Sequence, residues 1–167
     1  MGCGFGLFSL YYAQVRPGLR LHGLDVDARR IGVAREAGRR LGLSNVEYAV
    51  GDARAFRASR GYAGAYMLDI VHHVEPGGVR PLLAELHAAL TPGACLVVKD
   101  VDRRPAYKRW FTHALDLVVS PGSPPHYWPA ETLHAALEEA GFQVFRHAMV
   151  DFLPYPHVLY VCRAPEG

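Results

Sequence analysis

Three glycines at alternating positions open the chain, Gly2, Gly4 and Gly6, with Cys3 and Phe5 between them. Each can take φ > 0 and presents no Cβ, so a ligand can lie directly against the backbone. The apolar run Leu7 to Ala13 follows at once, which predicts a strand-to-helix turn whose free N–H groups face that ligand. Carboxylates recur behind the loop as Asp25, Asp27, Asp52, Asp69 and Asp100. Groups able to move a proton stand near the predicted strand ends as His72, His73 and Asp100, with His126 further on. Two adjacent histidines on a strand end point to opposite sides, which leaves at most one of them facing a common cleft. Nine histidines without an i,i+4 pair or a carboxylate ligand pattern predict no metal site.

The elements that must position these residues alternate. Residues 7–16 form a helix stopped by Pro17-Gly18, and Leu19 to Leu24 is a short strand ending in Gly-Leu-Asp-Val-Asp. A helix from about 28 to 41 carries Ile31, Ala34, Gly38 and Leu41 on one face, with Gly42 as its C-terminal stop. Val46 to Val50 is extended and closes in Gly51-Asp52-Ala53; the next strand, Ala65 to Val71, runs into His72-His73. A helix from about 78 to 90 buries Val79, Leu82, Leu83, Leu86 and Leu90 and ends at Thr91-Pro92-Gly93. Cys95 to Val98 is an apolar strand ending in Lys99-Asp100, at the carboxyl edge where α/β sheets place ligands. A helix from Pro129 to Ala140 leads to two strands, Phe142–Val150 and Val158–Cys162, whose connection is too short for a crossover helix, so they pair antiparallel. Strands alternating with helices predict a parallel sheet.

With 167 residues the chain reads as one domain. A net charge of +2 argues against a nucleic-acid or membrane partner, and no run of 18 apolar residues is present to span a bilayer. The apolar start has no basic residue before Arg16 and is broken by glycines, which argues against a signal peptide. Three distant cysteines indicate neither a disulfide framework nor a zinc site, so a reducing, cytoplasmic setting is expected.

The Gly-Cys-Gly-Phe-Gly loop departs from the dinucleotide fingerprint, since Leu7 occupies the place of its third glycine. Together with the helix Leu-Phe-Ser-Leu-Tyr-Tyr-Ala it resembles the first motif of the class I S-adenosylmethionine-dependent methyltransferases. Gly-Leu-Asp-Val-Asp, Gly51-Asp52-Ala53 and Met67-Leu68-Asp69-Ile70-Val71 follow in that family's order, and the resemblance covers nearly the whole chain. It implies an α/β Rossmann-like fold, a mostly parallel sheet with helices on both faces and a C-terminal antiparallel hairpin. It implies S-adenosyl-L-methionine as cofactor, held by Gly2, Cys3, Gly4, Phe5, Gly6, Asp25, Val26, Asp52, Ala53 and Asp69. Asp25 would take both ribose hydroxyls, Asp52 the adenine amine and Ala53 N–H its ring, with Asp69 at the methionine end. The residues also allow plainer roles: Asp27 as the N-cap of the next helix, and Asp52 as a turn aspartate satisfying its own backbone. The family's loop follows an apolar central strand, whereas only Met1 precedes Gly2; that strand is expected to be missing, the chain truncated, and the product poorly soluble or a homodimer.

The expected reaction is methyl transfer by in-line displacement to a small-molecule, even lipid-like, acceptor. It needs alignment first, and a base only if the acceptor must lose a proton; the candidate bases are His72, His73, Asp100 and His126. Residues 103–128, with Tyr107, Trp110 and Phe111, read as a lid-like insertion beside the acceptor, and Ser123-Pro-Pro-His126 within them as a rigid turn. A non-catalytic cofactor-binding module is the rival reading, with a nicotinamide-dependent oxidoreductase behind it.

Overall fold

A computed structural model describes residues 1–57, 61–103, 125–149 and 156–166. Residues 104–124 of the expected lid, with Tyr107, Trp110 and Phe111, and residues 150–155 before His157 lie outside the described residues. The chain divides into two compact units, Met1–Phe56 and Arg57–Gly167.

In the first unit the elements are α1 (Leu7–Val15), β1 (Leu21–Asp25), α2 (Ala28–Arg40) and β2 (Val46–Val50), with a 3-10 turn at Ala53–Ala55. The strands pair in parallel, Leu21 opposite Val46 through Asp25 opposite Val50. Asp27 caps α2, its carboxylate accepting from Arg29 N at 2.8 Å and Arg30 N at 3.2 Å. The helix ends where Gly42 turns to φ 67°, and Leu43 N–H returns to the Gly38 carbonyl at 3.0 Å. Ile31, Ala34 and Gly38 are buried as their spacing requires, whereas Leu41 is exposed: it is the C-cap, already turning off the helix face. Tyr48 of β2 completes this small core with Ile31 and Ala34. α1 buries only Ser9 and Ala13 and leaves Leu7, Phe8, Tyr11, Tyr12 and Val15 exposed.

The second unit holds β3 (Tyr62–Leu68), a 3-10 turn at Val71–His73, α3 (Pro76–Ala89), β4 (Leu90–Val101), α4 (Ala130–Glu139), β5 (Gln143–Ala148) and β6 (His157–Arg163). Its strand order is β3-β4-β6-β5. β3 and β4 are parallel, and β6 is antiparallel to both its neighbours, giving the expected terminal hairpin. Among the described residues β1 pairs only with β2, and β3 only with β4. All five predicted apolar positions of the 78–90 run are buried. Leu90 already belongs to β4, because its ψ of 145° leaves the helix one residue before Thr91. In β4, Leu96, Val98 and Asp100 are buried while Cys95, Val97 and Lys99 are partly covered, so neighbouring residues serve opposite faces.

One expectation is overturned here. β3 stops at Leu68 instead of running to Val71, and His72 and His73 lie in the 3-10 turn. A turn does not alternate its side chains, so the two imidazoles stand side by side, 4.1 Å apart and tilted by 49°.

Candidate functional site

The glycine loop takes the shape its residue types anticipate. Gly2, Gly4 and Gly6 all have positive φ, at 62°, 54° and 79°, and Gly6 N–H closes the turn on the Cys3 carbonyl at 2.9 Å. The two later glycines are glycines for different reasons. A Cβ on Gly6 would lie 2.6 Å from the Tyr48 hydroxyl, whereas one on Gly4 would meet nothing within 4 Å. Gly6 is therefore needed for packing, and Gly4 presents bare backbone to open space. Ser9 fixes this floor, donating to the Gly6 carbonyl at 3.0 Å and sharing a 2.9 Å bond with the Tyr48 hydroxyl.

Asp25 joins the loop directly. Gly4 N–H donates to Oδ2 at 2.7 Å and Asp27 N–H to Oδ1 at 3.0 Å, and the residue is 8% exposed. Each oxygen accepts one of these bonds and has a second lone-pair direction, the capacity that a pair of hydroxyl donors would use. The Asp25 carbonyl accepts from Gly51 N–H at 2.9 Å, bringing the end of β2 to the end of β1. Asp52 caps the 3-10 turn through Arg54 N–H at 2.9 Å and holds the Arg54 guanidinium at 2.6 Å. Those side-chain bonds, then the backbone one, keep its carboxyl below the usual carboxylate range. Ala53 opens that turn. Val26 and Phe5 are exposed, the latter with the Arg30 guanidinium 5.8 Å above its ring. Cys3 is half-buried, and desolvation, followed by the charge of Asp25, pushes its thiol up. These residues suit a neutral, hydroxyl-bearing ligand such as a nucleoside, lying on glycine backbone with a carboxylate beside it.

The proton-handling candidates belong to the second unit. His72, 2% exposed, places Nδ1 2.5 Å from Asp100 Oδ1. Asp100 also accepts from His72 N–H at 3.2 Å and from Val101 N–H at 2.7 Å. A carboxylate on Nδ1 fixes the imidazole tautomer and leaves Nε2 as its basic nitrogen. His126 is held through its backbone, N–H to the His72 carbonyl at 2.6 Å, and Tyr127 stacks on the His72 ring at 5.7 Å. Thus His72, His73, Asp100 and the backbone of His126 come together.

Asp69 lies elsewhere on the sheet ends. Lys99 Nζ reaches its Oδ2 at 2.7 Å and His157 Nε2 lies 3.5 Å from Oδ1. Sequence reasoning missed His157 altogether, because its place depends on the β4–β6 register; the alternation of Lys99, Val101 and the residue opposite Val101 is the signal that finds it.

Residues 1–93, more than half of the chain, match the family model described as a methyltransferase domain. The chain is 38% identical over 86 residues to the ribosomal RNA small subunit methyltransferase G of Deinococcus radiodurans, covering 52% of this chain and 33% of that protein. It spans about a third of the length of the curated relatives it matches. An S-adenosylmethionine-dependent methyltransferase from Mesorhizobium loti shares its fold with a TM-score of 0.79 at 22% identity, over 97% of this chain and 88% of that one. The [4+2]-cyclase SpnF shares it with a TM-score of 0.78 at 18% identity, over 99% and 73%. The chain belongs to the class I S-adenosylmethionine-dependent methyltransferase family, whose cofactor is S-adenosyl-L-methionine.

Proposed function

We propose that this chain, acting as one methyltransferase domain in a reducing cytoplasm, transfers a methyl group to a small organic acceptor, lipid-like molecules included. The observation that carries the reading is the 2.7 Å bond from Gly4 N–H to Asp25, which joins a bare glycine floor to the carboxylate suited to a ribose. Gly2 to Gly6, Asp25, Val26, Asp52 and Ala53 hold the nucleoside in this reading, and Asp69 of the second unit is the residue that the family resemblance assigns to the methionine end. Bound S-adenosylmethionine supplies an electrophilic methyl carbon on a sulfonium. The protein's part is alignment, which can lower a barrier by about 7–11 kcal/mol. Where the acceptor must lose a proton, His72 is the best-oriented base through its bond to Asp100; His73, Asp100 and His126 are the other candidates.

Local pairing of five arginines of the first unit supports a small acceptor over RNA. Arg39 and Arg40 sit on Glu36, Arg30 on Asp27 and Arg54 on Asp52, and Arg35 donates to the Tyr48 carbonyl. A phosphate-binding stripe needs cations presented to the ligand instead. The ribosomal RNA relative makes RNA the second acceptor class to test.

S-adenosylhomocysteine should bind with a Kd of about 1 μM, on the order of −8 kcal/mol. Asp25→Ala should weaken it about tenfold or more, since it removes a charged acceptor from two donors. Cell extract incubated with methyl-labelled cofactor and then split into small-molecule and RNA fractions should carry the label in the former. Label in RNA would overturn the acceptor class. No label in either, with cofactor binding intact, would leave a binding module.

A further inference from the structure

The outer strands of the two sheets are finished differently. On β2 the odd residues bond to β1, Gly51 N–H to the Asp25 carbonyl and Leu21 N–H to the Asn45 carbonyl, so Tyr48 turns its own carbonyl outward. Arg35 of α2 takes that carbonyl at 2.6 and 3.1 Å, and Glu47 beside it is exposed. A capped carbonyl and a neighbouring charge keep such an edge from pairing again. β5, the last strand in the order β3-β4-β6-β5, has no proline, no glycine and no register shift. Its one formal charge, Arg146, is bonded to Glu131 of α4 at 3.2 Å.

The ladder tells which groups of β5 are open. Met149 N–H donates to the His157 carbonyl at 3.0 Å, and these two residues continue the register that sets Ala148 opposite Val158. Bonded pairs in an antiparallel ladder recur at every second residue, so Gln143, Phe145 and His147 direct their backbone groups to β6. Val144, Arg146 and Ala148 therefore turn N–H and C=O outward, where no strand among the described residues pairs with them. Phe145, 68% exposed, lies opposite Val161, and Val161 opposite Val97, so an apolar row crosses the sheet and stops at its edge.

We propose that β5 pairs antiparallel with β5 of a second copy of this chain, around a twofold axis beside Phe145. An open ladder calls for another strand, and the side chains select this same one. Val144 exchanges both backbone bonds with Arg146 of the second copy, and symmetry repeats the pair, for about four bonds. Phe145 then occupies the non-bonded position between them, where opposed side chains come closest, and meets its own copy. The row Val97, Val161, Phe145 runs on unbroken into the second sheet. On the opposite face each Arg146 arrives with its Glu131, so the charges that meet sum to zero. Sliding by two residues one way would set Arg146 directly against Arg146, a like-charge pair; sliding the other way would set Phe145 against Gln143. The contact is about 20 Å long and one sheet thick, below the roughly 1,200 Å² of a standard interface. The dimer is accordingly a weak one, with a Kd on the order of 10 μM, and it does not depend on which acceptor is methylated.

Sedimentation velocity of the full chain from about 1 to 200 μM tests the pairing, and should show a monomer passing into a dimer around that Kd. Phe145→Glu, which opposes two carboxylates on the axis, and Val144→Pro, which removes an outward N–H from each copy, should each weaken it at least about tenfold. Phe145→Glu should keep the melting temperature of the dilute monomer within about 2 °C, since the side chain is mostly in solvent. Cysteines opposed in a non-bonded pair stand about 4.5 Å apart at Cα, within disulfide reach. Phe145→Cys in oxidised glutathione should therefore give a covalent dimer above the wild-type background, and Gln143→Cys, which faces His147 of the second copy, should not. A monomer throughout the range, a dimer that Phe145→Glu leaves intact, or cross-linking at Gln143→Cys as ready as at Phe145→Cys would overturn the proposal.

Discussion

Asp100→Ala would strip one acceptor from three donors at the centre of the second unit. His72 Nδ1 at 2.5 Å, His72 N–H at 3.2 Å and Val101 N–H at 2.7 Å all converge on that carboxylate. A hydrogen bond to a charged group contributes about 1.5–3 kcal/mol, and deleting one member of a buried pair costs about 3–5 kcal/mol. The figures overlap rather than add, since the Val101 N–H can rotate little but the imidazole can shift its proton. We therefore expect a loss of about 3–5 kcal/mol, a large part of the roughly 5–15 kcal/mol that holds a domain together. Asp100→Asn keeps the shape and one acceptor oxygen but turns an NH₂ toward the His72 N–H, for a loss of about 1.5–3 kcal/mol. Replacing both partners, His72→Phe with Asp100→Leu, should be milder than Asp100→Ala, because no lone imidazole remains buried. Urea unfolding followed by far-ultraviolet circular dichroism gives the order, read as midpoints at constant slope. A loss below about 1 kcal/mol for Asp100→Ala, or asparagine worse than alanine, would refute the account of this pair.

Two further outcomes concern the first unit. Gly6→Ala combines left-handed strain with a Cβ 2.6 Å from the Tyr48 hydroxyl and should cost about 2–5 kcal/mol in a chemical melt, against about 1–3 kcal/mol for Gly4→Ala, which has strain alone; the reverse order would sink the distinction between floor and open face. The Asp27 carboxyl is held below its ordinary value by the Arg30 N–H and then the Arg29 N–H. A depressed group stabilises above its unfolded pKa of about 3.9 and loses that contribution as pH falls through the folded value. Asp27→Ala should therefore lower the melting temperature at pH 7, with the gap to wild type closing in more acid solution. A gap that stays constant with pH would mean that the charge is not what caps α2.

Local chemistry and strand direction were readable, and strand register was not. The Asp27 cap, the Gly42 stop and the buried stripe Val79, Leu82, Leu83, Leu86 depend on residues within one or two turns, so spacing alone locates them. The parallel strands and closing hairpin followed from alternation and connection length. Asp25 beside the glycine loop was anticipated from motif order, although its bond to Gly4 N–H spans 21 positions. The histidine pair was misplaced because nothing in Leu68-Asp69-Ile70 announces the end of the strand, and an aspartate at φ 54° is what ends it. His157 escaped because it meets Asp69 only when two strand registers are both known.

The alternation in β4 also bears on how the chain finds its sheet. Sliding β4 one residue along its neighbours β3 and β6 would exchange the faces of all its side chains. Lys99 would turn toward the layer that now holds Leu96 and Val98, and Asp100 would lose His72. Burying a lone ammonium in such a layer costs several kcal/mol, so the slipped strand is penalised. Val97 and Val98 alone would tolerate either register; the charged dipeptide beyond them makes the mismatch self-rejecting. The same two residues that divide the second unit's chemistry between its faces thereby act as an alignment mark for its longest strand.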